Sequence, residues 1–105
     1  MLLFKQTEKL DTYLARERKL GRTVGFVPTM GALHEGHLSL VRASRQDNDL
    51  TVCSVFVNPT QFNDPEDLRK YPRTIEKDTE LLAAEGCDVL FWPTVSEIYP
   101  DGPKS

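Results

Sequence analysis

Three short apolar runs alternate with helix-like segments, and this alternation restricts the possible folds more than any other feature of the chain. The runs are residues 23–27, 50–57 and 89–92, and their β-branched and aromatic side chains are typical of strands. Two successive strand–helix–strand connections imply parallel strands with right-handed crossovers. The pattern therefore predicts an α/β fold with a parallel sheet of about three core strands and flanking helices.

Four segments have the periodicity and end signals of helices. They are residues 7–20 with Thr7 as the cap, about 36–47, 65–69 after the cap Asp64, and Thr74 to Gly86. Glu76 and Asp78 are expected to favour the positive end of the last helix. The side chains expected to face the core are Leu10, Tyr13, Leu14, Leu20, Leu38, Leu40, Val41, Ile75, Leu81 and Leu82.

The remaining segments are less strongly patterned. The continuous apolar character of residues 23–27 suggests a strand covered on both faces. Residues 2–4 indicate either an entry strand or a plug against the core, and the tail from Tyr99 to Pro103 has turn chemistry.

Composition limits the classes of function that suit the chain. Its 105 residues, 39% hydrophobic and 28% charged, suit one small globular domain. A net charge of −3, with 13 basic residues spread along the chain, gives little support for nucleic-acid binding. No apolar run approaches a membrane span, and the first residues lack a signal-peptide pattern, so a cytoplasmic location is expected. Cys53 and Cys87 are expected to be reduced, without a disulfide framework.

The stretch PTMGALHEGH, residues 28–37, combines a strand end, a glycine-containing turn and a helix start. The first N–H groups of a helix and its dipole favour an anion such as phosphate. His34 and His37 lie one helical turn apart and can both donate hydrogen bonds. Their spacing would also suit a metal, but no third ligand is evident and the pattern is not that of zinc proteases. In isolation the two histidines would be solvated loop residues, whereas the flanking strand and helix favour a phosphate site.

A second polar loop, NPTQF at residues 58–62, follows the second strand. The carboxyl ends of neighbouring parallel strands meet at one sheet edge, so we expect Gln61 and the histidines to converge on one pocket. Asn58 and Met30 are weaker candidates for the same pocket, and Arg73 is expected to be solvated. The acidic residues Asp64, Glu66 and Asp67 could attract Mg²⁺, although a capped, solvated helix start is the better interpretation.

Four motifs occur in order: PTMGALHEGH at 28–37, VFVNPTQF at 55–62, YPRT at 71–74 and YPDG at 99–102. The first contains the His-x-Gly-His signature of adenylate-forming nucleotidyltransferases, and the set resembles the pantothenate synthetase (pantoate–β-alanine ligase) family. The resemblance runs from about Val24 to the last residue. It implies a Rossmann-like fold of the HIGH-superfamily nucleotidyltransferase type, and a ligase that makes pantothenate, AMP and pyrophosphate through pantoyl adenylate.

The resemblance also implies residue roles, with ATP carrying Mg²⁺ and no metal ligand supplied by the protein. ATP would be held by Met30, Gly31, Ala32, Leu33, His34, Glu35, Gly36 and His37, with backbone N–H groups facing phosphate. His37 would be the catalytic proton donor, and a nearby phosphate would hold it partly charged. Gln61 would bind both pantoate and β-alanine. The partners would be these small molecules, without nucleic acid or membrane, and the intact protein would be a homodimer.

The family's chains are considerably longer, and their further nucleotide and pantoate segments come later in the sequence. We therefore expect residues 1–105 to be the amino-terminal part of the ATP- and pantoate-binding domain, with a truncated sheet, no carboxy-terminal domain and no activity alone. Two alternatives stay open at this point. One is another His-x-Gly-His nucleotidyltransferase, and the other is a non-catalytic nucleotide-binding or interaction module.

Overall fold

The computed structural model describes residues 1–71 and 73–102, and the expected turn chemistry at Pro103 lies outside them. Strands and helices alternate through most of this length. In chain order they are β1 (Leu2–Phe4), α1 (Thr7–Lys19), β2 (Val24–Thr29), α2 (Glu35–Asp47), β3 (Leu50–Val55), α3 (Pro65–Lys70), α4 (Ile75–Ala84), β4 (Val89–Phe91) and α5 (Val95–Ile98). A 3₁₀ turn, Pro59–Gln61, precedes α3.

The strands form one parallel sheet in the order β1-β4-β3-β2, which confirms the predicted α/β architecture. The described residues contribute four strands rather than about three. The segment at residues 2–4 is an edge strand paired with β4 from Leu2 opposite Val89 to Phe4 opposite Phe91. The entry-strand interpretation is therefore confirmed over the plug.

The core lies on both faces of the sheet, and β3 is buried along its whole length. Successive side chains of a strand point to opposite faces, so Val52 and Cys53 belong to different clusters. One cluster includes Val41 of α2 and Leu82 of α4, and the other includes Leu10 of α1. Parallel pairing of β2 with β3, which places Thr29 opposite Val55, brings the carboxyl ends of the two strands together.

Three expectations about burial were wrong. Phe26 is 56% exposed because it lies on the face of edge strand β2 opposite Val27, which packs in the cluster with Val41 of α2, so residues 23–27 are not covered on both faces. Leu40 is 56% exposed because α2 buries the side that carries the adjacent Val41. Leu20, 67% exposed, is the residue that follows the last turn of α1.

Helix ends were predicted with mixed success. Asp64 caps α3 as expected, its carboxylate accepting from the Glu66 N–H at 2.9 Å. Thr7 is not a cap: it is the first residue of α1, and its N–H donates to Glu97 of α5 at 2.7 Å. That carboxylate lies 90 residues away and α5 was not predicted, so local sequence gave no indication of the contact. None of the helices formed by residues 1–71 and 73–102 is long and apolar enough to cross a membrane.

Candidate active site

Residues 30–37, which connect β2 to α2 and include the first three residues of α2, are called here the histidine loop. Its backbone takes two consecutive left-handed conformations, at Gly31 (φ 87°) and Ala32 (φ 50°). A left-handed alanine costs on the order of 1–2 kcal/mol. A Cβ on Gly31 would meet both Asp78 and Val55 at 3.2 Å, so glycine also permits close packing at this turn. The conformation persists because surrounding groups hold it.

Asp78 of α4 is the group that holds the turn most directly. Its carboxylate is 1% exposed and accepts from the backbone N–H groups of Ala32 (3.0 Å) and Leu33 (2.9 Å). The hydroxyl of Thr74 lies 3.2 and 3.3 Å from the two carboxylate oxygens. Thr29 adds a further contact, because its hydroxyl donates to the Ser54 carbonyl at 2.9 Å and accepts from the Gly31 N–H at 3.2 Å. The loop is thus tied to β3 and to α4.

The two histidines cap α2 reciprocally. The Nδ1 atom of His34 accepts from the Gly36 N–H at 3.0 Å, and the Nδ1 atom of His37 accepts from the His34 N–H at 3.2 Å. Their ring centroids are 4.1 Å apart. A Cβ on Gly36 would lie 2.8 Å from the His34 ring, so this cap requires glycine there.

This capping fixes where each ring carries its proton. An atom that accepts from a backbone N–H cannot itself be protonated, so a neutral ring carries its hydrogen on Nε2. Burial lowers the pKa of His37, nearby His34 lowers it further, and the Asp78 carboxylate opposes the change. The chain's own groups therefore favour a neutral His37, whereas the expectation of a partly charged ring depended on a bound phosphate.

The expected contact between loop N–H groups and phosphate meets a structural obstacle. The N–H groups of Gly31, Ala32, Leu33, His34 and Gly36 all donate to side chains of the chain itself. Glu35 is also engaged, since its carboxylate pairs with Arg42. Five of the loop's N–H groups are therefore engaged, whereas the Nε2 atoms of the two histidines are donors that the capping contacts do not use.

His37 and Gln61 line the same open cleft, of about 480 Å³, at the carboxyl edge of the sheet. Met30 and Asn58, the weaker candidates, line it too, whereas His34 does not. Its full lining is Pro28, Thr29, Met30, His37, Ser54, Phe56, Asn58, Gln61 and Tyr71. The convergence predicted from sheet topology is therefore present for His37 and Gln61 but not for His34.

Gln61 belongs to the segment of residues 56–64, called here the glutamine loop. Asn58 caps its 3₁₀ turn, its Oδ1 accepting from the Thr60 N–H (3.1 Å) and hydroxyl (2.7 Å). The same oxygen accepts from the Tyr99 hydroxyl at 3.1 Å. Gln61 itself is exposed, so its amide is available to a ligand in the cleft.

A second cavity, of about 330 Å³, shares Met30 and Phe56 with the cleft but is otherwise lined by different residues. Its polar groups already have partners. Lys5 lies over the tryptophan ring at 4.5 Å, and Asp78 holds the histidine loop. Arg73, expected to be solvated, donates to backbone carbonyls at the end of α3, including that of Tyr71 at 2.8 Å. The cleft with His37 and Gln61 is therefore the better candidate.

Charge in the cleft is sparse. Its lining, within the described part of the chain, contains no lysine, arginine or carboxylate. Residues 1–71 and 73–102 also contain no group of three histidine, cysteine or acidic residues able to hold a metal. A polyanion bound here would need cations from elsewhere.

Comparison with known proteins gives a consistent result. A family model described as pantoate–β-alanine ligase matches residues 2–105. The chain is 53% identical over 105 residues to a pantothenate synthetase of Acetivibrio thermocellus, covering all of this chain and 37% of that protein. It is 56% identical over 102 residues to that of Shouchella clausii, covering 97% and 34%. The chain thus spans little more than a third of these relatives.

Solved structures show the same similarity. Pantothenate synthetase from Thermus thermophilus matches with a TM-score of 0.86 and 48% identity, over 100% of this chain and 36% of that one. Pantoate–β-alanine ligase from Francisella tularensis, complexed with β-γ ATP and β-alanine, matches with a TM-score of 0.84 and 41% identity. That match covers 100% of this chain and 42% of the other.

Proposed function

Because the chain belongs to the pantoate–β-alanine ligase family, we propose that residues 1–105 are the amino-terminal part of the ATP- and pantoate-binding domain of a pantothenate synthetase. The whole protein would condense pantoate with β-alanine at the expense of ATP. The observation that carries the proposal is the convergence of His37 and Gln61 on one cleft beside the histidine loop.

The first chemical step would activate the pantoate carboxylate. A carboxylate oxygen attacks the α-phosphorus of ATP, the bond from that phosphorus to the β-phosphate oxygen breaks, and pyrophosphate leaves. Positioning and stabilisation of developing negative charge dominate such a phosphoryl-type transfer. A positioned hydrogen-bond donor at the reacting phosphate is the contribution this chain is built to make.

We assign that donor to Nε2 of His37, which lines the cleft while its Nδ1 is held by the His34 N–H. His34 would donate from its own Nε2 beside it. Met30, Gly31, Ala32, Leu33, Glu35 and Gly36 would complete the ATP-binding segment by shape, because most of its N–H groups are engaged internally. In this part of the chain, ATP would then be recognised mainly by imidazole donors that a rigid turn holds in place.

Gln61 would position both organic substrates. An amide offers an acceptor and two donor hydrogens without adding charge, so it can bind a hydroxyl and a carboxylate. In the second step the β-alanine amine attacks the acyl carbon, the bond to the AMP oxygen breaks, and the amine loses a proton as the amide forms. The bound β-alanine named for the Francisella relative supports the same substrate here.

Mg²⁺ would enter with ATP. The cleft supplies no carboxylate ligand from the described residues, so oxygens of the triphosphate would provide its main ligands. The ion would offset part of the triphosphate charge, and cationic groups beyond residues 1–105 would offset the rest.

We further propose that the intact enzyme works in the cytoplasm as a homodimer. Cys53 and Cys87 are free and buried, and burial raises the pKa of the Cys53 thiol to about 12, which suits inert reduced thiols. Edge strand β2 with the half-exposed Phe26 offers a surface for the rest of the protein or a partner subunit. Sedimentation of the full-length protein at several concentrations would test the dimer.

The full-length protein should release AMP when given ATP, Mg²⁺, pantoate and β-alanine, and should form pantoyl adenylate when β-alanine is left out. Adenylation of a different acceptor would support another nucleotidyltransferase. Residues 1–105 alone should form no pantothenate, because the lining contributed by residues 1–71 and 73–102 supplies no cation for pyrophosphate departure. If residues 1–105 bind ATP without turnover, seen as amide shifts within residues 31–40, then this part of the protein by itself would be a non-catalytic nucleotide-binding module.

A further inference from the structure

Asp78 stands apart from the other acidic residues of α4. It is 1% exposed, whereas Glu76 and Glu80 on the same helix are exposed. The ion pairs formed among residues 1–71 and 73–102 do not include it. A buried carboxylate without a cation is costly unless donors surround it. Here the donors are two consecutive N–H groups of the histidine loop and the Thr74 hydroxyl.

Those two N–H groups form an anion-binding concavity. Consecutive N–H groups in a left-handed turn converge on a single anion, which is how many loops bind phosphate. In this chain the concavity at Ala32 and Leu33 is filled by the carboxylate of Asp78. The side chain therefore acts as an internal anion that keeps the turn in its left-handed form.

The held turn leads directly into the histidines. Leu33 precedes His34, which caps α2 and whose N–H fixes the Nδ1 atom of His37. A shift at Leu33 would move both the cap and the ring that lines the cleft.

We propose that Asp78 is a positioning residue for the adenylation step: its buried carboxylate fixes the Gly31–Ala32 turn, so that the cap made by His34 holds and the Nε2 donor of His37 stays in the cleft where the reacting phosphate would bind. The proposal rests on the proposed function for its catalytic consequence. The placement of the rings is independent of that function and can be measured without substrates.

The test is Asp78→Asn in the full-length protein, with Glu80→Gln as the matched control. Both changes remove one negative charge from α4, but Asn offers one acceptor and sets its NH₂ group against the other loop N–H. The rate constant for pantoyl adenylate formation should fall about 10- to 100-fold per folded molecule, with a smaller change in the KM for ATP. Glu80→Gln should leave both unchanged. A wild-type rate in folded Asp78→Asn, or an equal loss in the control, would overturn the proposal.

Ring ¹⁵N signals of the histidines give a second readout that general destabilisation of the fold would not move. Wild type should show unprotonated Nδ1 and protonated Nε2 in both rings, and Asp78→Asn should shift them towards a tautomer mixture. Unchanged signals would reject the positioning role even if the rate fell. If the wild-type protein forms no pantoyl adenylate, the proposed function fails, and these signals still decide the role of Asp78.

Asp78→Asn has a substitute if it does not fold. Thr74→Val removes one donor to the carboxylate at an exposed position while both loop bonds remain. It should lower the adenylation rate a few-fold and shift the same histidine signals in the same direction. If Thr74→Val then matches the wild type in both the adenylation rate and the histidine signals, the proposal is overturned.

Discussion

The two loops that meet at the cleft are held in different ways. The histidine loop is bonded to α4 through Asp78, which lies 46 and 45 residues from Ala32 and Leu33 in sequence. The glutamine loop is held mainly by Asn58, through bonds to Thr60 two residues away and one to the Tyr99 hydroxyl. One loop is anchored by a buried carboxylate, and the other is held by two local, exposed bonds and one part-buried bond to a distant residue.

This difference matches the tasks proposed for the loops. Stabilisation of charge in a transition state needs donors that are already in place, because reorganising them costs part of the gain. Recognition of small organic substrates tolerates side chains that settle when the ligand arrives. A rigid histidine loop facing an adjustable glutamine loop is the arrangement expected for adenylation of a bound acid.

The largest effect should follow substitution of His37. His37→Asn keeps a polar group where Nδ1 accepts the His34 N–H but removes the donor at the Nε2 position, and His37→Gln does the opposite. If Nε2 stabilises the reacting phosphates, His37→Asn should slow single-turnover pantoyl adenylate formation about 10²–10³-fold, and His37→Gln should retain more of the rate. Equal rates for the two variants would refute the assignment to Nε2. A wild-type rate in both variants would show that His37 only caps α2 and takes no part in the reaction.

A comparison of stabilities tests the difference in anchoring. Asp78→Ala leaves two N–H groups, one buried and one partly buried, without an acceptor and should lower the free energy of unfolding by about 3 kcal/mol. Asn58→Ala removes a partly exposed cap and should lower it by about 1 kcal/mol. Denaturant unfolding of the full-length variants is the measurement. Equal losses would show that the two loops are anchored to similar extents.

The sequence predicted the parts of this arrangement that depend on local patterns. Alternating strands and helices gave the parallel sheet, and the sheet in turn gave the meeting of His37 and Gln61 at one edge. The role of Asp78 was missed because nothing near it in sequence identifies a partner 45 residues earlier. Its only local signal was an acid in the first turns of a helix, which has an ordinary explanation in the helix dipole.

Two further differences between the predictions and the structure also arise from tertiary arrangement, which local sequence does not show. The exposure of Phe26 depends on strand order, and hydrophobic periodicity does not tell an edge strand from a central one. Occupation of the loop N–H groups by side chains also depends on tertiary contacts. A glycine turn before a helix indicates a phosphate site, but it does not show whether the chain fills the concavity itself.

A smaller effect is expected at the glutamine loop. Gln61→Ala should raise the KM for pantoate and for β-alanine about 10-fold each, which corresponds to the loss of about one hydrogen bond to each substrate. The KM for ATP and the denaturant midpoint should change little, because Gln61 is exposed. Gln46→Ala, at an exposed position of α2, is the matched control. A rise confined to the KM for ATP would show that Gln61 does not bind pantoate or β-alanine.

The smallest effect concerns pH and the cap shared by the two histidines. The pKa of His37 is lowered from the ordinary value of 6.5, first by burial and then by His34. Between the lowered pKa and 6.5 the unfolded chain binds more protons than the folded one, so stability falls as pH decreases through that range. The contribution is fully present above 6.5 and lost below the lowered pKa. Protonation places a hydrogen on Nδ1, which must then give up the His34 N–H.

Denaturant midpoints of the full-length protein at about pH 7.5 and about pH 5, without ligand, would measure this loss. His37→Asn keeps an acceptor for the His34 N–H but does not titrate, so it reports the background from all other groups. Wild type should lose more stability than His37→Asn on acidification, and bound ATP should reduce the difference, because phosphate favours the charged ring. Parallel losses in the two proteins would show that the cap tolerates a charged His37, and the histidine loop would then be less rigid than its hydrogen bonds imply.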